Sequence, residues 1–356
     1  MEAIYHIGLD QHKEFSQVAV VDSNGNVKEN TRVINRVENI REFFEKIPRS
    51  SIITMEATGD WYWMYDLLEQ LGFKVKLAHP RKVRLIAEAA IKTDKIDCEV
   101  LAQLERTNYL PESYVPKKEV RDLRELMRHR SSLVRLKTSL KNKVHALLAK
   151  RGIRHEFLTD IFGKAGRAFL EQIELPEIYK LKMVAYLKLI DQLQEEAKAL
   201  EKMIKLKAIT EDKYAKILLT VPGISYISAM FLSAEIADIE RFKNYKKLCS
   251  YAGLASSTDQ SADKLRQGHI IKESNKYIRT VLAEAVYKAI KQDPHLAHKY
   301  YRLAKRRGNN KAKIAIARKM LVSIFFMLKE NKPYRIRDIE GNKSKNYMKI
   351  NLEMPA

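Results

Sequence analysis

IYHIGLD, residues 4–10, is an apolar run closed by a carboxylate, as expected of a strand buried in a sheet and ending at its rim. Two further β-type runs follow it, QVAVVD (17–22) and NVKENTRVI (27–34), and the turn Ser23-Asn24-Gly25-Asn26 between them predicts a hairpin. Residues 38–47 carry Ile40, Phe43, Phe44 and Ile47 on one face of a short helix. SIITMEATG (51–59) is a second apolar strand interrupted near its end by an acid. A helix over 61–71, a strand KVKLAH (74–79) and one long helix from about Lys82 to Thr107, opened by Pro80, complete the region.

The order β-β-β-α-β-α-β-α is that of the ribonuclease H class, a mixed sheet flanked by helices, although pattern alone leaves other α/β folds open. From 117 to 151 the pattern becomes a single helix in which Leu126, Leu133, Leu140 and Leu147 recur every seven residues. Met183, Tyr186, Ile190, Leu193, Ala197, Leu200 and Ile204 form a second such seam. These are coiled-coil seams, expected to pair within the chain or between chains. Residues 211–330 read as a helical region with a loop-rich middle, and 331–356 as a basic, extended tail. The expected domains are therefore 1–110, 111–210, 211–330 and the tail 331–356.

Charge divides the chain in the same place. The 356 residues carry a net +22, yet residues 1–110 hold 15 basic and 17 acidic side chains. All of the excess sits beyond them. A basic body on a slightly acidic head suits a polyanion binder whose chemistry is done by carboxylates. Two distant cysteines, Cys98 and Cys249, exclude a disulfide framework and a cysteine-rich zinc site. With no signal-peptide pattern and no long apolar run, a cytoplasmic location is expected.

Four acids in the head could hold metal. Asp10 and Glu56 each end an apolar strand, where an unpartnered charge is costly. Asp94 and Asp97, in KTDKID, lie three apart and share a helix face. If the two strands are neighbours and that helix packs across their ends, the four carboxylates converge, as phosphoryl transfer through Mg²⁺ requires. Each has a plainer reading by itself: a turn residue or cap for Asp10 and Glu56, a salt-bridge patch with Lys92 and Lys95 for the aspartate pair. Only their order in a sheet context adds weight.

That order, with GLDQHK, the element E-A-T-G, HPRKVR and K-T-D-K-I-D, resembles the DEDD transposases of the insertion-sequence-110 class. The resemblance implies a RuvC-like (ribonuclease H-like) catalytic domain in which Asp10, Glu56, Asp94 and Asp97 bind one or two Mg²⁺ ions. Cys98 stands where the family usually has alanine. LLTVPGISYISAMFLSAEI (218–236) resembles a helix-hairpin-helix, a holder of DNA backbone, with Gly223 in the turn and Ser225 in place of the second glycine.

The segment 250–285 resembles the family's C-terminal transposase signature. Ser261 falls on its serine, and Gly268, Lys272, Asn275 and Arg279 also match. Ser256, Ala262, Ser274 and Ile278 replace the signature's Pro, Gly, Gly and Leu. The resemblance implies that Ser261 attacks a DNA phosphodiester and is transiently joined to the strand end. Activation of its hydroxyl by the carboxylate-bound metal would make the two domains one composite site, drawn from one subunit or from two. Residues 298–319 set Arg302, Lys305, Arg306, Arg307 and Lys311 beside Tyr300 and Tyr301, a segment suited to phosphates, though the tyrosines can equally pack inward.

The resemblance further implies DNA as substrate, guidance by a structured element-encoded bridge RNA, and a homo-oligomer built through the coiled coil. Two competing readings stand beside it. One is a Holliday-junction resolvase or nuclease that hydrolyses without rejoining. The other is a nucleic-acid-binding protein without catalysis.

Overall fold

The computed structural model describes residues 4–57, 59–87, 93–261, 264–270 and 274–336, with side chains 258–261 and 264–267 left out. The chain divides into two compact units, Met1–Pro116 and Lys117–Ala356.

In the first unit, β1 (His6–Gln11) pairs antiparallel with β2 (Phe15–Val21), and β2 antiparallel with β3 (Val27–Ile34). Helix α1 (Val37–Glu45) leads to β4 (Ile52–Glu56), α2 (Trp61–Gln70) and β5 (Lys74–Ala78). The sheet order is β3-β2-β1-β4-β5, with β1, β4 and β5 mutually parallel. Such a five-stranded mixed sheet is compatible with the ribonuclease H class. Alternation along the strands separates its two faces. Ile7, Leu9, Ile53 and Met55 point to one side, where Ile40 and Phe44 of α1 and Met64 and Leu68 of α2 close an apolar core.

The long helix expected over 82–107 is two helices, α3 (Pro80–Ile86) and α4 (Asp94–Arg106). Ala87 leaves helical geometry at φ −122°, ψ 55°. Thr93 is extended and accepts a hydrogen bond from the Ile96 amide, a side-chain cap that starts a fresh helix. Periodicity carried through Ala87 hid this break. α4 covers the other sheet face so closely that a Cβ on Gly8 would lie 1.9 Å from the Cys98 carbonyl oxygen.

Among its described residues, the regular structure of the second unit is helical but for one hairpin. Its helices are α5 (Lys118–Lys150), α6 (Lys164–Gln172), α7 (Glu177–Thr210), α8 (Lys213–Leu218), α9 (Tyr226–Ile236) and α10 (Tyr245–Tyr251). The hairpin of β6 (Ser256–Ser261) and β7 (Lys264–Ile270) comes next, then α11 (Lys276–Gln292), α12 (Pro294–Arg307) and α13 (Asn309–Glu330). The long helices α5 and α7 pair antiparallel within the chain, Arg130 meeting Glu201 and Lys137 meeting Gln194. Burial, then the charges of Lys141 and Arg130, lower the Lys137 pKa. Of the tail, residues 331–336 are held: Tyr334 is buried and its hydroxyl donates to Asp293 Oδ2 at 2.6 Å. Residues 337–356 lie outside the described residues. Among the described residues, no helix is long and apolar enough to cross a membrane.

Candidate functional site

Parallel pairing sets Leu9 opposite Met55. Both are core residues, so the next residue of each strand, Asp10 and Glu56, turns to the opposite face at the same end of the sheet. That is the face covered by α4. Asp94 and Asp97 occupy the first turn of α4, where unpaired backbone N–H groups favour negative charge. The break at Thr93 therefore does two things at once: it starts the helix and presents its acids at the strand ends.

Asp10 and Asp94 meet through His12. Its Nε2 lies 3.3 Å from Asp10 Oδ2 and 3.3 Å from Asp94 Oδ2. One donor atom from each of the three residues falls within 4.8 Å of the others. Arg32 reaches the same edge, its Nη2 3.9 Å from Asp94 Oδ2. Asp97 follows one turn along α4. Cys98 forms the floor: its Sγ donates to the Gln17 carbonyl oxygen at 3.0 Å. Burial, then the charges of Asp10, Asp97 and Asp94, push its thiol well above the ordinary range. Three carboxylates thus act on one buried sulfur.

The donors fit a hard divalent cation, since carboxylate oxygens are what Mg²⁺ and Mn²⁺ take. The buried His12 Nε2, which makes no hydrogen bond, fits a cation as well. His12 was missed in the sequence reading, although Asp-x-His at a strand end was the signal.

In the second unit the sequence-chosen residues have mixed placements. Ser261 closes β6, its backbone paired with Lys264 of β7. Its side chain and Lys272 lie outside what is described. Asn275 caps α11, accepting from the Tyr277 and Ile278 amides, and donates to Glu235 Oε2 at 2.7 Å. The Arg279 Nη1 is 3.5 Å from the Gly253 carbonyl oxygen. Gly223 has φ +81°, and a Cβ there would lie 2.7 Å from the Ala285 carbonyl oxygen. Close packing on α11 thus accounts for its glycine. Ser225 caps α9 through the Ser228 amide.

Two arginines of α5 are engaged inside the second unit. Arg128 pairs with both oxygens of buried Glu235, at 3.0 and 3.1 Å, and Arg124 binds the carbonyls of Ala234 and Glu235. By contrast Arg302, Lys305, Arg306, Arg307 and Lys311 are all exposed at the α12–α13 corner. Tyr300 is buried and Tyr301 exposed.

Comparison with known proteins agrees over both units. A family described as Transposase matches residues 7–151, and one described as Transposase IS116/IS110/IS902 family matches residues 215–302. A "Probable family 20 transposase" of Pseudomonas aeruginosa is 29% identical over 342 residues, spanning 92% of this chain and 98% of its own length. The "Transposase for insertion sequence element IS1111A" of Coxiella burnetii is 24% identical over 94% of this chain and 92% of its own. The "Transposase for insertion sequence element IS1328" of Yersinia enterocolitica is 27% identical over 78% and 81% respectively.

Proposed function

This chain belongs to the IS116/IS110/IS902 transposase family and is a DNA transposase, and from that premise we propose that it cuts and rejoins DNA through a metal-bound DEDD site and a serine nucleophile. The observation that carries the reading is the meeting of Asp10 and Asp94 at the end of β1. Glu56, one register step beyond the Leu9–Met55 pair, and Asp97, one helical turn beyond Asp94, complete the set. Bound there, Mg²⁺ would polarise a phosphoryl oxygen and stabilise a leaving alkoxide. The first unit is read as RuvC-like (ribonuclease H-like) on the same ground.

The chain's own steps are these. The Ser261 hydroxyl gives up its proton as Oγ attacks the phosphorus of a phosphodiester, an Oγ–P bond forms, and the bond from phosphorus to one strand oxygen breaks. That oxygen leaves as a hydroxyl, taking up a proton. In rejoining, a hydroxyl of a second strand attacks the same phosphorus and the serine is released. The basic corner of Arg302, Lys305, Arg306, Arg307 and Lys311 would hold the backbone, with Gly223, Lys272, Asn275 and Arg279 as the remaining proposed nucleic-acid residues.

Guidance by a bridge RNA is read from the family resemblance, and the excess positive charge beyond residue 110 only permits it. Oligomerisation would use the side of α7 that pairing with α5 leaves uncovered, where Ile178, Leu181 and Leu206 are exposed. We read 111–210 as the oligomerising region, 211–330 as the serine domain and the cytoplasm as the site of action.

The test is recovery of a protein–DNA adduct in Mg²⁺, with the attached residue mapped. Wild type should yield an adduct at Ser261. Ser261→Ala should abolish it, and Asp10→Asn should abolish all strand cleavage. Cleavage that survives Ser261→Ala would instead identify a hydrolytic nuclease.

A further inference from the structure

The β1–β2 turn holds the His12 ring in a fixed pose. Its backbone N–H donates to the Phe15 carbonyl oxygen at 2.9 Å, and its own carbonyl oxygen accepts from Asn35 Nδ2 at 2.7 Å. The ring packs on Phe15, centroids 4.7 Å apart, and the Arg32 guanidinium covers that phenyl ring at 4.5 Å. A histidine restrained this way would normally spend its buried ring nitrogen on a hydrogen bond. Here Nε2 is buried and makes none, despite standing 3.3 Å from a carboxylate oxygen on either side.

Distance without hydrogen-bond direction is what three ligands of one cation show. Octahedral ligation with bonds of about 2.1 Å sets adjacent donor atoms roughly 3.0 Å apart, each lone pair aimed at the centre rather than at its neighbour. The two separations at His12 are close to that edge. The Asp10 and Asp94 donor atoms lie within 4.8 Å of each other, inside the span of one ion's ligand shell.

We infer that His12 is a direct metal ligand, giving this site a nitrogen donor beside Asp10 and Asp94. The inference rests on the metal-site reading above and adds to it a consequence for metal choice. First-row divalent ions, Mn²⁺ included, accept an imidazole nitrogen more readily than Mg²⁺, which prefers an all-oxygen shell. The site should therefore take Mn²⁺ more tightly than four carboxylates alone would.

Mn²⁺ binding to the full-length chain, followed by electron paramagnetic resonance, tests this without relying on activity. Wild type should bind Mn²⁺ with a ¹⁴N modulation in pulsed spectra. His12→Ala should lose that modulation and at least about tenfold in Mn²⁺ affinity, since even groups behind a ligand cost that much. Mg²⁺ affinity, by competition, should fall less. His12→Asn, which keeps a polar side chain in the turn, serves if the alanine variant unfolds. Should bound Mn²⁺ show no ¹⁴N modulation, and Asp10→Asn but not His12→Ala weaken binding, the histidine assignment falls while the metal site stands. Should wild type bind neither ion, both fall.

Discussion

Gly8 Cα rests against the Cys98 carbonyl, and a methyl group at that position would lie 1.9 Å from the oxygen and 3.0 Å from the Ala102 amide nitrogen. Both obstacles are helix backbone, which cannot swing aside as a side chain can. The contact sets the height of α4 above β1, and with it the distance from Asp10 to the acids of the first helical turn.

Gly8→Ala should therefore damage both stability and the site. Overpacking of this kind costs about 1–3 kcal/mol, readable in urea unfolding. Mn²⁺ affinity should fall with it, because Asp94 and Asp97 move with the helix. A variant with unchanged unfolding midpoint and unchanged affinity would show that the contact sets nothing.

In the helical unit, Glu235 is 1% exposed and gathers Arg124, Arg128 and Asn275. Glu235→Ala leaves the buried Arg124 without its carboxylate and Arg128 without its pair, and should destabilise the protein by about 3–5 kcal/mol. Asn275→Ala removes a cap and one bond to the same carboxylate, for about 1–2 kcal/mol. The double variant should cost less than the sum, and strict additivity in denaturant titrations would contradict a shared network.

Cys98 gives a pH signature. Burial, then the charge of Asp10, raises its thiol above the ordinary value of 9.0. The native state thus keeps a proton that the unfolded chain surrenders near that value. The contribution is complete below it and is lost as pH climbs past it. Native protein at pH 8 should resist thiol reagents at Cys98 and react once unfolded. Rapid native labelling of that residue would refute the buried placement.

For the α12–α13 corner the readout is salt. Each phosphate contact contributes a slope of about 0.9 in the dependence of log affinity on log salt concentration for duplex DNA. Arg302→Ala with Arg306→Ala should flatten that slope by nearly two if both side chains hold phosphates. An unchanged slope would make the corner an ordinary solvated surface.

How far all this was readable in advance depended on the range of the interaction. Strands and helices of the first unit follow from alternation and 3.6-residue periodicity, and the acids from their interruption of apolar runs. The split at Thr93 did not show, because one threonine capping an amide competes with a pattern that runs on through it. The packing roles of Asn275 and Gly223 did not show because their partners, Glu235 and the α11 backbone, are distant in sequence. His12 escaped for a different reason: the adjacent aspartate already explained the strand end.

The Leu9–Met55 pairing has one more implication. A slip of β4 by a single residue would send Glu56 into the oily layer under α1 and α2 and lift Ile53 and Met55 out of it. Cohesion and reactivity are therefore measured by the same ruler. Mutational drift along this strand cannot misplace the acid without first exposing greasy surface, so the folded population is one in which the acid is already aimed.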